Sequence, residues 1–382
     1  MTHSPSFPGL YIHLPFCVSR CRYCAFASNP YEEAIADRYL AALRKELGLH
    51  SEKLASGVST LFIGGGTPSV LTVRQLENLL SMAPLPLEGG EATFEANPES
   101  LTEEKMRLLR DGGVNRLSLG VQTFHPAGLA LLGRRHDAAA ALAALDRAHS
   151  AGFASLSVDL IAAWPGQTPE MLVADIETAI GRGVSHISCY ALTVEEGTPI
   201  FRDFVSGRLA EKSDAEAREF WDAGGNRLSE RGFERYEISN HARPGKRCRH
   251  NVNCWKGWDY LGVGAAAHSH WRGRRFANHA GLAAYLAQIE QGASAECFSE
   301  RLAPDAKARE GATLWLRMAE GIECGEFAGR FGISPFDLYR RELPPLLERG
   351  ALEIVDNASG GKNLRLSAEA YPNADLVLVD LV

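Results

Sequence analysis

Along the first two hundred residues, short apolar or β-branched runs alternate with longer stretches whose apolar residues recur at helical spacing. The short runs are 9–16, 58–64, 91–96, 116–122, 155–162 and 186–193; each ends in Gly, Pro, Asn or a polar residue. The stretches 31–54, 72–81, 102–110, 137–150 and 169–182 read as amphipathic helices, with Leu40, Leu43, Leu47 and Leu49 close to one face of the first. Six strand–helix units in series predict a parallel sheet. Polar residues recurring at strand C-termini predict an α/β fold of the partial (β/α)6 TIM-like barrel kind; a doubly wound sheet is the alternative. From about 195 to 240 the periodicity is helical, most clearly over 214–229. A Gly-, His- and Arg-rich stretch, 241–276, is too long and unusual for a plain linker. Beyond 302 the chain reads as helices followed by a terminal β-pair around Asn357-Ala-Ser-Gly-Gly-Lys362, the outline of a winged-helix-like module. The expected division is a barrel over 1–240, a connecting segment over 241–290 and a smaller α+β domain over 291–382.

The bulk numbers fit this plan. A chain of 382 residues, 45% hydrophobic, can bury one large core and a smaller one. Its net charge of −7 argues against nucleic-acid binding by bulk charge. No apolar run approaches the roughly 20 residues that span a bilayer, and the opening Met-Thr-His-Ser-Pro-Ser-Phe-Pro shows no basic or apolar signal, so a cytoplasmic location is expected. Eight cysteines in so long a chain do not suggest a disulfide scaffold.

Three of those cysteines change the picture. Cys17, Cys21 and Cys24 stand as Cys-x3-Cys-x2-Cys directly after the first apolar run. Three thiolates on one tight loop can hold three irons of a four-iron cluster and leave the fourth open; a structural zinc site or a fully protein-bound cubane would want a fourth ligand, and the next cysteine is Cys189. Three unrelated thiols, or half a zinc site, are the competing readings. Gly64-Gly-Gly-Thr-Pro-Ser69 closes the second strand, where glycines let a backbone approach a ligand closely. Glu95, Gln122 and Asp159 fall at or near successive strand ends, and Arg134 follows the fourth. They supply acceptors for hydroxyl and amine groups and a guanidinium for a carboxylate.

The cysteine loop resembles the radical S-adenosylmethionine (SAM) superfamily. Tyr11-Ile-His-Leu-Pro-Phe-Cys17, Gly64-Gly-Gly-Thr-Pro-Ser69, Glu95-Ala-Asn-Pro98, Gly120-Val-Gln-Thr-Phe124, Leu131-Leu-Gly-Arg134, Asp159-Leu, Trp164-Pro-Gly-Gln-Thr168 and Tyr190-Ala-Leu-Thr193 together resemble its oxygen-independent coproporphyrinogen III oxidase family. That resemblance implies a [4Fe-4S] cluster on Cys17, Cys21 and Cys24. It also implies cluster-bound SAM against Tyr11, Gly65, Glu95, Gln122, Arg134 and Asp159. Tyr23, Gly66 and Thr67 match positions near a second SAM, and Ala191 is a weaker match. Two features depart from the oxidase: Phe26 stands where it has a further cysteine, and only sixteen residues precede Cys17. Both are similar instead to the HemW-type heme chaperone branch, which carries a downstream His-Asn-x-x-Tyr-Trp motif. Here that motif reads His250-Asn-Val-Asn-Cys-Trp255, with Cys254 in place of the tyrosine.

The branch implies heme as a ligand, an acceptor hemoprotein such as a respiratory one, membrane contact through that acceptor, and a homodimer. His250 is the first axial-ligand candidate, then His268 or Cys254, with Trp255, Trp258 and Tyr260 for stacking and Arg243, Lys246, Arg247, Arg249, Arg272, Arg274 and Arg275 for the propionates. A structural loop packing Trp255 under the barrel is the plain alternative. For function, a heme chaperone is expected ahead of a coproporphyrinogen-oxidising radical enzyme.

Overall fold

The computed structural model describes residues 8–381, so the N-terminal residues read for a targeting signal lie, apart from Pro8, outside the described part. Six parallel strands, Gly9–Leu14, Thr60–Gly65, Glu91–Ala96, Arg116–Gln122, Ser155–Ala162 and His186–Ala191, lie side by side in chain order. A doubly wound sheet would reverse direction at a switch point; this one does not, and it is the expected partial barrel. The strands alternate over most of their length. Leu10, Ile12, Leu61, Ile63, Phe94, Leu117, Leu119, Val158, Leu160 and Ile187 are buried in the main core with Leu40, Leu43, Leu76, Met106, Leu145 and Ile176 of the surrounding helices. The opposite face of the same strands carries Glu91, Thr93, Glu95, Arg116, Ser118, Ser157, Asp159, His186 and Ser188, so the barrel is polar inside.

The helices start where side chains can take up orphan backbone N–H groups. Thr72 with Gln75, and Ser213 with Glu216, form capping boxes; Thr102, Asp137, Thr168 and Thr198 accept from the third residue onward. The stretch read as one helix over 31–54 is Glu33–Leu49 followed by Ser51–Leu54, broken at His50, and a short helix, Pro126–Leu132, was not anticipated.

The sheet continues on both flanks. Tyr260–Val263 pairs in parallel with Gly9–Leu14, followed outward by antiparallel His268–Trp271, Arg274–Asn278 and Glu296–Glu300; Asn240–Ala242 and Glu234–Arg235 extend the other edge. Residues 241–290, set apart above as a connecting segment, therefore build sheet strands and the helix Arg249–Trp255. Beyond them, helices Pro304–Leu316, Cys324–Phe331 and Leu343–Glu348 pack with a three-stranded antiparallel sheet of Ile322–Glu323, Lys362–Leu366 and Leu352–Asp356. This part has its own core, including Trp315, Phe327, Tyr339 and Leu364. The Trp315 indole N–H donates to the Lys256 carbonyl at 3.0 Å, fastening it beneath the barrel. No helix among the described residues is long and apolar enough to cross a membrane.

Candidate functional site

The cysteine loop sits over the C-terminal ends of the strands. Its path is fixed by backbone bonds: Gly66 N–H donates to Leu14 O (2.8 Å), Thr67 N–H to Phe16 O (2.8 Å), Tyr31 N–H to Cys17 O (2.9 Å) and Arg22 N–H to Leu132 O (3.1 Å). A Cβ on Gly66 would lie 2.6 Å from Phe16 O, and one on Gly64 2.5 Å from a Glu95 carboxylate oxygen, so the glycine run is required for this close approach. All three cysteines are half-buried. Arg134 Nη1 donates to Cys21 Sγ (3.2 Å), while its Nη2 donates to Asn97 Oδ1 and Gly120 O (both 2.7 Å).

Cys17, Cys21, Tyr23, Cys24, Gly65, Gly66, Thr67, Glu95, Gln122, Arg134 and Asp159 line one cleft enclosing about 920 Å3. Eleven of the residues singled out in the sequence thus converge on one place. Three do not line it. Tyr11 bonds His13 Nδ1 through its hydroxyl (2.9 Å) and packs near Phe62 and His250. Ala191 is exposed at the end of the sixth strand. His250 lies at the other end of the barrel.

The electrostatics of the cleft favour a cationic, hydrogen-bonding ligand. Burial pushes the Glu95 carboxyl up to about 8, with the Asp159 charge adding to the rise, and the carboxylate accepts a hydrogen bond from Gly65 N–H (3.2 Å). Burial also raises Asp159, against hydrogen bonds from Ser188 and Ser118. Gln122 holds a left-handed backbone conformation, φ 71°, beside a strand irregularity. That strain turns the chain at the cleft's edge. Asn97, Ser118 and Ser188 were missed in the sequence. The signal was the period-two polar face, which places Asn97 two residues after Glu95 and Ser118 opposite Glu95 in register.

Among the described residues no three His, Cys, Asp or Glu side chains converge as one metal ion would require. A cubane asks for something different, one thiolate to each of three irons at separate corners, and a loop of three half-buried cysteines beside a glycine cradle and two under-solvated carboxylates fits the cluster and a SAM at its open iron. When bound, such a cluster would supply one-electron chemistry at the strand ends. Glu95, Asp159 and the Gly64–Gly66 backbone would hold such a ligand's polar atoms, and Arg134 its carboxylate.

The base of the barrel is closed by a polar network. Glu91 accepts from His250 N–H and Arg249 N–H (both 3.1 Å) and from the Cys248 thiol (3.5 Å). Ser157 meets His186 Nδ1 (2.7 Å), and His186 Nε2 meets the Tyr236 hydroxyl (2.8 Å). Within this network His250 is buried, its Nδ1 2.9 Å from Thr60 Oγ1 and its ring beside Phe62, 5.2 Å between centroids. Burial lowers its imidazole to about 4. Cys254, Trp255, Tyr260, His268 and His270 instead border a separate cleft of about 950 Å3 against Leu314 and Phe331 of the C-terminal part. Several basic residues named for propionates are already engaged: Arg247 with Glu234 and Glu320, Arg274 with Glu296, and Arg275 with Glu300 and Glu310.

Residues 11–179 match the radical SAM superfamily. A heme chaperone HemW of Mycobacterium tuberculosis is 39% identical over 324 residues, 82% of each chain. A HemW of Bacillus subtilis is 33% identical over 91% of this chain and 93% of its own, and one of Escherichia coli 37% over 68% and 69%. Among solved structures, the Escherichia coli coproporphyrinogen III oxidase HemN, a radical SAM enzyme, superposes with a TM-score of 0.83 at 23% identity, over 100% of this chain and 91% of its own. That likeness speaks to the fold alone.

Proposed function

We propose, from the premise that this chain belongs to the radical SAM superfamily and, within it, to the HemW family, that it binds heme and passes it to an acceptor hemoprotein. Family membership implies the SAM-ligated [4Fe-4S] cluster, and the cleft over the strand ends is the place for it. The observation that carries the heme reading beyond the relatives' names is the cleft beneath the barrel. Its walls are Trp255, Tyr260, Leu314 and Phe331, flat or apolar faces suited to a porphyrin. His268 stands exposed on its border, with no hydrogen bond to its ring among the described residues. His250 is less suited to be the axial ligand, because its ring is packed and bonded within the base of the barrel.

The test is an anaerobic titration of cluster-reconstituted protein with hemin and, in parallel, with coproporphyrinogen III and SAM. Stoichiometric hemin binding without porphyrinogen turnover is expected. His268→Ala should shift the Soret band and weaken hemin about tenfold or more, while His250→Asn should leave the spectrum in place and lower thermal stability. The reverse outcome for the two histidines would remove heme from this cleft. Porphyrinogen oxidation with SAM consumption would make the chain an oxidase and overturn the chaperone reading.

A further inference from the structure

A third groove belongs to neither site and is independent of the heme reading. It lies between the helix Asp214–Glu230, the edge strands Glu234–Arg235 and Asn240–Ala242, and the C-terminal stretch 365–371, and encloses about 1430 Å3. Arg235 and His241 are direct cross-strand partners, so both side chains stand on one face of the hairpin. The Arg235 guanidinium lies 3.7 Å from the Trp221 ring centroid, and its Nη1 donates to Ile238 O (2.8 Å). A Cβ on Gly225 would stand 2.9 Å from its Nη2. A glycine inside a helix is unfavourable, and this one gives the guanidinium its room.

Arg235 differs from its neighbours in having no carboxylate in direct contact, although the charges of Glu237 and Asp222 act on it from further away. Arg218 pairs with Asp222 and Glu369, and Arg365 with Glu353, whereas no carboxylate reaches ion-pairing distance of Arg235 among the described residues. Two further groups at the groove are incomplete. His241 is 4% exposed and Tyr371 7%, yet among the described residues neither ring nitrogen of His241 nor the Tyr371 hydroxyl has a hydrogen-bond partner. The Ser239 backbone is near enough to His241 to oppose the lowering of its pKa without making a hydrogen bond of normal geometry. A buried polar group left unpaired destabilises the fold that buries it. An unpaired guanidinium and two unpaired polar side chains meeting at one groove call for a partner from outside the chain.

We propose that this groove binds a small molecule bearing a single carboxylate. The guanidinium presents a planar fork that matches two carboxylate oxygens. The imidazole and the phenol each offer one further donor. One unpaired cation balances a monoanion, while Asp222, Glu353 and Glu369 at the rim disfavour a dianion such as a phosphate monoester. The Trp221 and Tyr371 rings, stacked 6.4 Å apart at 23°, offer a flat apolar surface for the rest of the ligand.

The test is calorimetric titration of the full chain with sodium benzoate, against neutral benzamide and dianionic phenyl phosphate. Saturable binding of one benzoate per chain is expected, with the two controls weaker by about tenfold or more. Arg235→Gln should abolish it. Tyr371→Phe keeps the ring packing and should weaken it several-fold while leaving the free protein at least as stable, since a buried unpaired hydroxyl is removed. Absence of benzoate binding, equal binding of benzamide, or benzoate affinity unchanged in both variants would overturn the proposal. A Tyr371→Phe chain that is destabilised and never bound benzoate would show that ordered water completes the groove, and would overturn it as well.

Discussion

The two ends of one barrel are lined with the same kinds of polar side chain and use them in opposite ways. At the base, Glu91 accepts two backbone N–H groups and a thiol, and His186 is held on both ring nitrogens. At the mouth, Glu95 and Asp159 are buried and both pushed toward the neutral form, and Glu95 accepts a hydrogen bond from Gly65 N–H. The difference separates a plug from a receptor. Where the chain satisfies its own buried groups, they hold structure; where it leaves them short, a ligand completes them. His250 and Glu95 are both buried and titratable, and only their partners tell them apart.

The sharpest break between the ends should come from the cluster loop. Cys21→Ala removes one of three thiolates and should abolish the visible charge-transfer absorption of reconstituted protein, with SAM affinity falling about 100-fold or more. Anaerobic spectroscopy and SAM titration would show it. A cluster that survives intact would mean that the mouth is not the cluster site. The matching change at the base is Glu91→Ala. It strands the Arg249 and His250 N–H groups and removes a charge that favours buried Arg116, and it should cost about 2–4 kcal/mol in urea unfolding. SAM affinity should stay within about twofold. A large loss of SAM binding in that variant would show the two ends to be one coupled site.

The mouth was far more legible in the sequence than the base. Its ligands lie in contiguous motifs after strands, and strand–loop order alone places Cys17, Gly65, Glu95, Gln122 and Asp159 at one end of a parallel barrel. The base is assembled from distant pieces: His250 meets Thr60 and Glu91, which are 190 and 159 residues away. No local pattern reports such pairings, so His250 reads as an available imidazole until its neighbours are seen. The segment 241–290 was opaque for the same reason. Its strands are short, and their partners are the first and sixth barrel strands, the edge strands Glu234–Arg235 and Glu296–Glu300, and one another. Six strands and the major helices followed from periodicity, whereas the break at His50 and the helix Pro126–Leu132 did not.

The smallest predicted effect tests the comparison most directly. In the cluster-free protein, Glu95 titrates near 8 when folded and near its ordinary value of 4.5 when unfolded. The folded state therefore holds a proton that the unfolded state gives up, and stability falls as pH rises between those values. The penalty is absent below about 4.5 and complete above about 8. Glu95→Gln mimics the neutral acid and escapes it, so the variant should match the parent near pH 4.5 and exceed it by about 1–2 kcal/mol near pH 8.5, after allowance for water in the cleft. A cationic ligand reverses the preference, because it stabilises the carboxylate. SAM should then bind the parent more tightly as pH rises toward 8, while Glu95→Gln loses about tenfold in affinity and most of that dependence. Paired chemical denaturation and SAM titration across this range would read both slopes. If neither appears, Glu95 is as well satisfied as Glu91, and the distinction between an open mouth and a closed base does not hold.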